Sequence, residues 1–583
     1  MEAFLNILEI AGCVLFVIFF LGFCVFIHEL GHFLTAKLCG LHVNAFSLGF
    51  KKAWGRKIGG VDYRIGWLPF GGYVDIPQID STSVPHTAEG KELPPAKPIH
   101  RLLSAFAGPF FNILFGLALG CVVWYIGVPQ DSPKMREITV ASIEKVGPEY
   151  KAGLRKGDKI FKLNDKTFFC TWKEFVFKTI LTIGEVELDV NRDGKDLEIS
   201  YVPKQNPNAP EAMKFEKMPW PYFLAKIPIK MFPKNDSPAA LAGMKDGDII
   251  ISINGRRIEN YDEFFGIINY SNGKTLDLIV DRDGKNVKLS PVKPVLHKEA
   301  MEMVKDIYLI GVFFVPEAIP LKVFMTVPNA PAMLAGIKAG DIIEKINGEK
   351  IADFKAFQDS IKPLKDTSFT LQVKRGDKIL DIKLAAAQRR IYEIGVSLMI
   401  LDHPTPWQQF VNVIDMSYKS LRGLGINFMN KLGMTKAKSS IKARNLSGPI
   451  GLAKTLYRSV KVGSIRFGLY FVVLVSFALA IFNLLPLPVL DGGHMTLALI
   501  EIIVRRPLHD GVVKVLTFIF IFLLIGLMIY VTYFDILRDL PKAWQKELDP
   551  DQPSKKIEKV ISEKTVIEKK DDAKTPVKTD KNS

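Results

Sequence analysis

Four apolar stretches set the frame of this 583-residue chain: Ile10 to Ile27, Leu102 to Val128, about Phe467 to Leu490, and Val515 to Phe534. Each one, with its flanking residues, reaches the roughly 20 residues that cross about 30 Å of hydrocarbon. The pattern predicts a multi-pass α-helical membrane protein with four transmembrane helices. A cleaved leader would need a basic start and a small-residue exit, but Glu9 precedes the first run and His28-Glu29 follow it, so that helix is expected to stay. About 340 residues of mixed polarity separate the second and third runs. That length is too great for a connecting loop and predicts a folded, water-exposed insert.

Lys and Arg number 77 against 61 Asp and Glu, a formal net charge of +16. Basic loops of a membrane protein account for such an excess, and no nucleic-acid motif points elsewhere. The segment from Lys37 to Arg101 holds nine Lys or Arg against five Asp or Glu, and Arg505-Arg506 lie between the last two runs. Both fit the cytoplasmic side, which puts the insert and the tail outside. Cys13, Cys24, Cys39, Cys121 and Cys170 show no CxxC spacing, so no disulfide framework is expected. From about Lys542 the chain is nearly all Lys, Asp, Glu, Pro, Thr and Ser, and reads as a disordered tail.

The insert repeats itself. AGLRKGDKIFKLND begins at Ala152, AGMKDGDIIISING at Ala242 and AGIKAGDIIEKING at Ala335. Each is followed by a second landmark: Arg192-Asp193-Gly194-Lys195, Arg282-Asp283-Gly284-Lys285 and Arg375-Gly376-Asp377-Lys378. Two landmarks at parallel spacing define a repeat of about 90 residues. In each, a short helix ends at a Gly, a Gly-Asp turn opens an Ile-rich strand, and a tight hairpin turn closes it.

At the end of the first run stands His28-Glu29-Leu30-Gly31-His32. The i,i+4 spacing turns both imidazoles to one helical face, where they can share a Zn²⁺, with Glu29 placed to act on water. Ionisable groups at hydrocarbon depth are costly unless paired, metal-bound or wet, which strengthens the metal reading. A catalytic zinc takes three protein ligands and leaves one position for water. Asp491 is the candidate third ligand, because Pro486 and Pro488 break the helix path just before it. His494 is an alternative ligand, Glu501 a more distant one, and an ordinary Asp-Gly turn the competing reading of Asp491.

These motifs together resemble those of bacterial site-2 proteases, intramembrane zinc metalloproteases of the regulator-of-sigma-E type. The likeness spans about residues 1 to 540. It rests on HExxH in the first helix, on Asn483-Leu484-Leu485-Pro486-Leu487-Pro488-Val489-Leu490-Asp491-Gly492, and on Gly108-Pro109-Phe110-Phe111-Asn112. Phe70-Gly71-Gly72-Tyr73-Val74 looks like the family's membrane-associated β-loop, and Ser447-Gly448-Pro449-Ile450-Gly451 like its segment ahead of the third helix. The repeats resemble PDZ domains, with Ile310-Gly311-Val312 after the second and Ile394-Gly395-Val396 after the third matching the carboxylate-loop element. The first repeat shows Asn164-Asp165 in place of Asn-Gly and no Ile-Gly-Val, so its groove is expected to be degenerate.

The resemblance implies a zinc metalloendopeptidase that cuts in or near transmembrane segments, with Glu29 catalytic and His28, His32 and Asp491 on the metal. Asn112, Asn483, Gly71 and Gly72 are candidates to position substrate, and the two Ile-Gly-Val loops to bind peptide. Implied partners are single-pass membrane proteins, such as an anti-sigma factor with a C-terminus freed by a first cleavage, or remnant signal peptides, in the lipid bilayer of a cell (inner) membrane. A non-catalytic scaffold with a structural zinc is the rival class, and a membrane zincin with a Glu ligand a third reading. The expected division is 1–128 (HExxH helix, β-loop, second helix), 129–220, 221–317 and 318–400 (PDZ-like units), 401–464 (amphipathic juxtamembrane segment), 465–540 (last helices) and 541–583 (tail).

Overall fold

All four apolar runs form helices in the computed structural model, which describes residues 2–79, 84–130, 132–207, 209–258, 261–296, 308–314, 320–327, 330–361, 363–364, 367–388, 391–397, 400–461, 464–506 and 509–540. The expected tail lies outside the described residues. Among those described, four helices are long and apolar enough to cross a membrane: Ile7–Leu38, Pro98–Ile126, Ile465–Asn483 and Gly511–Leu537. Phe518, Phe522 and Ile529 stand exposed along the last of them, as side chains that face lipid do. The chain divides into two compact units, one of residues 1–120, 409–414 and 442–583, the other of 121–408 and 415–441.

In the first unit, a β-ribbon follows the HExxH helix. Its strands Ala45–Ile58 and Val61–Asp75 meet at the Gly59-Gly60 turn, where both residues take positive φ. The ribbon folds back on itself. Residues 45–48 pair with 62–65 on one side and with 72–75 on the other, which makes Gly72–Asp75 an edge. The third long helix stops at Asn483, earlier than the expected Leu490, and the chain turns through 484–490 before a short helix, Asp491–Val504. Pro486 and Pro488 explain the early stop, since neither can donate to a continuing helix. A Cβ on Gly492 or Gly493 would strike the carbonyls of Leu484, Leu485 or Leu487, so only glycine lets the new helix start this close to the turn.

The Ser447-to-Gly451 motif also gains a role. It starts the helix Pro449–Lys461, and the buried Asp535 of the last helix accepts the N–H groups of Gly448 and Gly451 at 2.9 and 2.8 Å. A carboxylate at a helix start satisfies donors that have no partner in the helix. The juxtamembrane segment is helical over Pro406–Lys431, capped by Thr405 and Gln408, and leaves Trp407, Val411, Ile414 and Phe428 exposed.

Among the described residues the second unit holds three sheets of one spatial strand order, although the edge strand comes last in the chain in the first and second repeats and first in the third. In the first, Lys195–Tyr201, Val186–Arg192, Lys159–Leu163, Ile138–Ile143 and Phe223–Ala225 lie in that order. The two sequence landmarks turn out to be halves of one ion pair. Arg192 reaches Asp158, Arg282 reaches Asp248 and Arg375 reaches Asp341, each at 2.7–2.8 Å, and each Arg also donates to the Gly carbonyl at the helix end. Burial alone would raise the Asp248 and Asp341 carboxyls, but the paired guanidinium groups and a backbone N–H hold them below the ordinary range.

The expected boundaries 129–220, 221–317 and 318–400 require correction, the first because Phe223–Ala225 pairs with Ile138–Ile143. Val396–Ser397 pairs with Lys230–Pro233 and so closes the sheet of the second repeat, whereas Val312–Phe314 pairs with Leu321–Thr326 and belongs to the third. The third repeat is therefore inserted into the second. Val295–Leu296 pairs with Tyr392–Glu393, and Tyr308–Leu309 with Ala387–Gln388, in two short antiparallel pairs that join them. The first repeat does contain the element that seemed missing: Phe223–Ala225 fills the same edge, preceded by Pro221-Tyr222 in place of Ile-Gly.

Candidate metal centre

His28, His32 and Asp491 form the one cluster of potential metal-binding groups among the described residues, with donor atoms all within 4.8 Å of one another. His28 Nε2 lies 3.2 Å from His32 Nε2 and 3.1 Å from Asp491 Oδ2, and His32 Nε2 lies 3.4 Å from Asp491 Oδ1. The helix supplies the histidines one turn apart. The Pro-broken turn lets Asp491 come in at the first residue of its own helix.

The surroundings fit a cation. His32 Nδ1 donates to the Ser104 carbonyl at 2.7 Å, which leaves Nε2 its lone pair for the centre. The Asn112 carboxamide, fully buried, stands 3.1 Å from His28 Nδ1. A Cβ on Gly108 would overlap His32 Nε2 and come within 2.9 Å of His28 Cε1, so the glycine keeps the cradle open. Two nitrogens and a carboxylate oxygen around such a space suit Zn²⁺.

Glu29 is buried beside the histidines and outside the cluster of donors. The ribbon's edge strand reaches it: the Val74 N–H donates to its carboxylate, and a Cβ on Gly72 would lie 3.1 Å from its Cγ. Gly71, at φ +106°, lines an apolar cavity of about 370 Å³ with Phe19, Gly22, Phe23, Gly49 and Gly66. Asn483 ends its helix half-buried, and its side chain makes no hydrogen bond among the described residues.

Of the alternative ligands, His494 lies outside the cluster, and Glu501 is buried in an ion pair with Arg101. That pair and Ser104 escaped the sequence reading. The signal was present, since Arg101 directly precedes one apolar run and Glu501 interrupts the apolar stretch Met495 to Val504, and buried charges of opposite sign seek each other.

The fold and the site define a class: a protein with four helices long and apolar enough to cross a membrane, among the described residues, in which both histidines of a His-Glu-x-x-His helix and an aspartate from a second helix meet in one cluster of potential metal-binding groups. Residues 16–527 match peptidase family M50, and the chain belongs to that family. It is a metalloprotease. It is 26% identical over 504 residues to a Vibrio cholerae protein named "Putative zinc metalloprotease", covering 84% of this chain and 91% of that one. Identity to the regulator of sigma-E protease RseP of Escherichia coli is also 26%, over 518 residues, covering 84% of this chain and 91% of the relative. A regulator of sigma E protease of Haemophilus influenzae is 25% identical over 526 residues, covering 88% of this chain and 96% of the relative.

Proposed function

We propose that this metalloprotease is a zinc-dependent intramembrane endopeptidase that hydrolyses peptide bonds in or near the transmembrane segments of single-pass membrane proteins. The observation that carries this is the burial of His28, Glu29 and His32 in a helix apolar enough to span a bilayer, with Asp491 brought to them. His28, His32 and Asp491 would hold the zinc ion, which when bound supplies a Lewis acid and makes water acidic near neutral pH. Glu29, which ligates nothing, takes the proton of the attacking water and delivers it to the leaving amide nitrogen.

A helical substrate must unwind before attack, because its amides are bonded internally. The edge at Gly72–Asp75, where Glu29 already takes the Val74 N–H, offers an extended strand its other backbone groups, and the neighbouring cavity takes an apolar side chain. Asn112, behind His28, positions that ligand. The names of the relatives favour a substrate that governs a sigma factor, such as a single-pass anti-sigma factor, with remnant signal peptides as a second class. The charge pattern supports an inner-membrane placement with the PDZ-like repeats and the tail outside, where the repeats control access.

The test is cleavage of a transmembrane model substrate by detergent-purified protein, with zinc content recorded for wild type and Glu29→Gln. Loss of cleavage with zinc retained is the expected result. Cleavage by Glu29→Gln at the wild-type rate would overturn the role of Glu29.

A further inference from the structure

The three repeats can be superimposed residue by residue at one loop. Gly395 accepts from Lys234 N–H, Gly311 from Val327 N–H and Tyr222 from Glu144 N–H, so these three occupy one position. In the second and third repeats the preceding Ile carbonyl accepts from Ala239 or Ala332. Among the described residues, the N–H groups of Ile394, Gly395, Ile310 and Gly311 donate to no acceptor, although Ile394 is 1% exposed and Ile310 3%. Amides left open side by side at residues that are buried or, at Gly311, half-buried form an anion nest, the feature that captures a peptide's terminal carboxylate.

The first repeat has built the same place differently. Pro221 replaces the Ile and removes one N–H. The other, Tyr222 N–H, donates at 3.3 Å to Glu149, which replaces Ala239 and Ala332 and is 2% exposed. Glu149 Oε2 has no hydrogen-bond partner among the described residues. The glycine has crossed over as well. Gly395 and Gly311 would clash, if given a Cβ, with Ser237 and Ala330, whereas here the facing residue is Gly147 and the clash would be with Tyr222.

We propose that Glu149 is a built-in surrogate for a peptide C-terminus, filling the anion position of the first repeat, so that chain termini are captured by the second and third repeats alone. The proposal rests on the reading of the repeats as peptide-binding units. Its test uses full-length protein in detergent at pH 8 and a pool of heptapeptides with a free C-terminal Val and a photoreactive Leu beside it, together with the same pool amidated. Crosslinks mapped by mass spectrometry are expected around Val312 and Val396 and not around Phe223, and to vanish with the amidated pool. Glu149→Gln should leave both sites, and Ala239→Glu should abolish the site at Val396. Should Ala239→Glu fail to fold, the wild-type map still decides. Free-acid crosslinks at Phe223 would overturn the surrogate role while sparing the peptide-binding reading; no crosslinks anywhere would overturn both.

Discussion

Gly108 and Asn112 sit one helical turn apart and act on the two histidines in different ways. Gly108→Val would drive a side chain into His32, and loss of bound zinc is the expected outcome in a metal assay of the purified protein. Asn112→Ala removes only the partner of His28, and groups of that kind commonly change metal affinity about 10- to 100-fold, so a chelator competition should show a weaker site that still fills. Arg101 and Glu501 make a different case, because each neutralises the other in a buried place. Arg101→Ala would strand Glu501 at a cost of about 3–5 kcal/mol, and Arg101→Met with Glu501→Leu should recover most of the lost melting temperature. Glu149 brings pH dependence. Burial pushes its carboxyl up to about 7, and Glu144 adds in the same direction. The native state then holds a proton that the unfolded chain has released, so stability is fully present below about pH 4.5 and falls by about 3 kcal/mol as pH rises through about 7. Glu149→Gln should flatten that slope in thermal unfolding.

Elements differ in how openly the sequence states them. The HExxH helix was legible because a four-residue spacing is a statement about one helical face, and Asp491 because prolines announce a broken helix. The repeats were legible because their landmarks are the Asp and Arg of a recurring ion pair, each too specific to drift. Strand ownership was not legible. Val396–Ser397 is a two-residue strand with no period to read, and Ile-Gly-Val looks the same whichever sheet it completes. Nor could Glu149 be recognised as part of a loop, since Tyr222 lies 73 residues away. The acidic half of each ion pair predicts its own importance: Asp341→Asn should lower the stability of the third repeat by about 2–3 kcal/mol, seen as earlier hydrogen exchange across the strands Ile342–Ile346 and Ser368–Arg375.

At the scale of the whole chain, nesting decides which fragments can exist. A fragment of residues 221–317 lacks Val396–Ser397 and should be unfolded by circular dichroism, whereas 221–402 carries both sheets complete and should fold. Because Val295 lies across from Glu393, replacing residues 297–390 by a short Gly-Ser link should leave the second repeat intact. The same nesting imposes an order in time. As the chain emerges from its N-terminal end, the second repeat's sheet waits with an open edge until Val396 arrives, while the third, contiguous from Val312 to Ala385, has all its strands sooner. The inner repeat closes first and the outer one is sealed around it, so a stall in synthesis between the two leaves one finished domain hanging from an unfinished one.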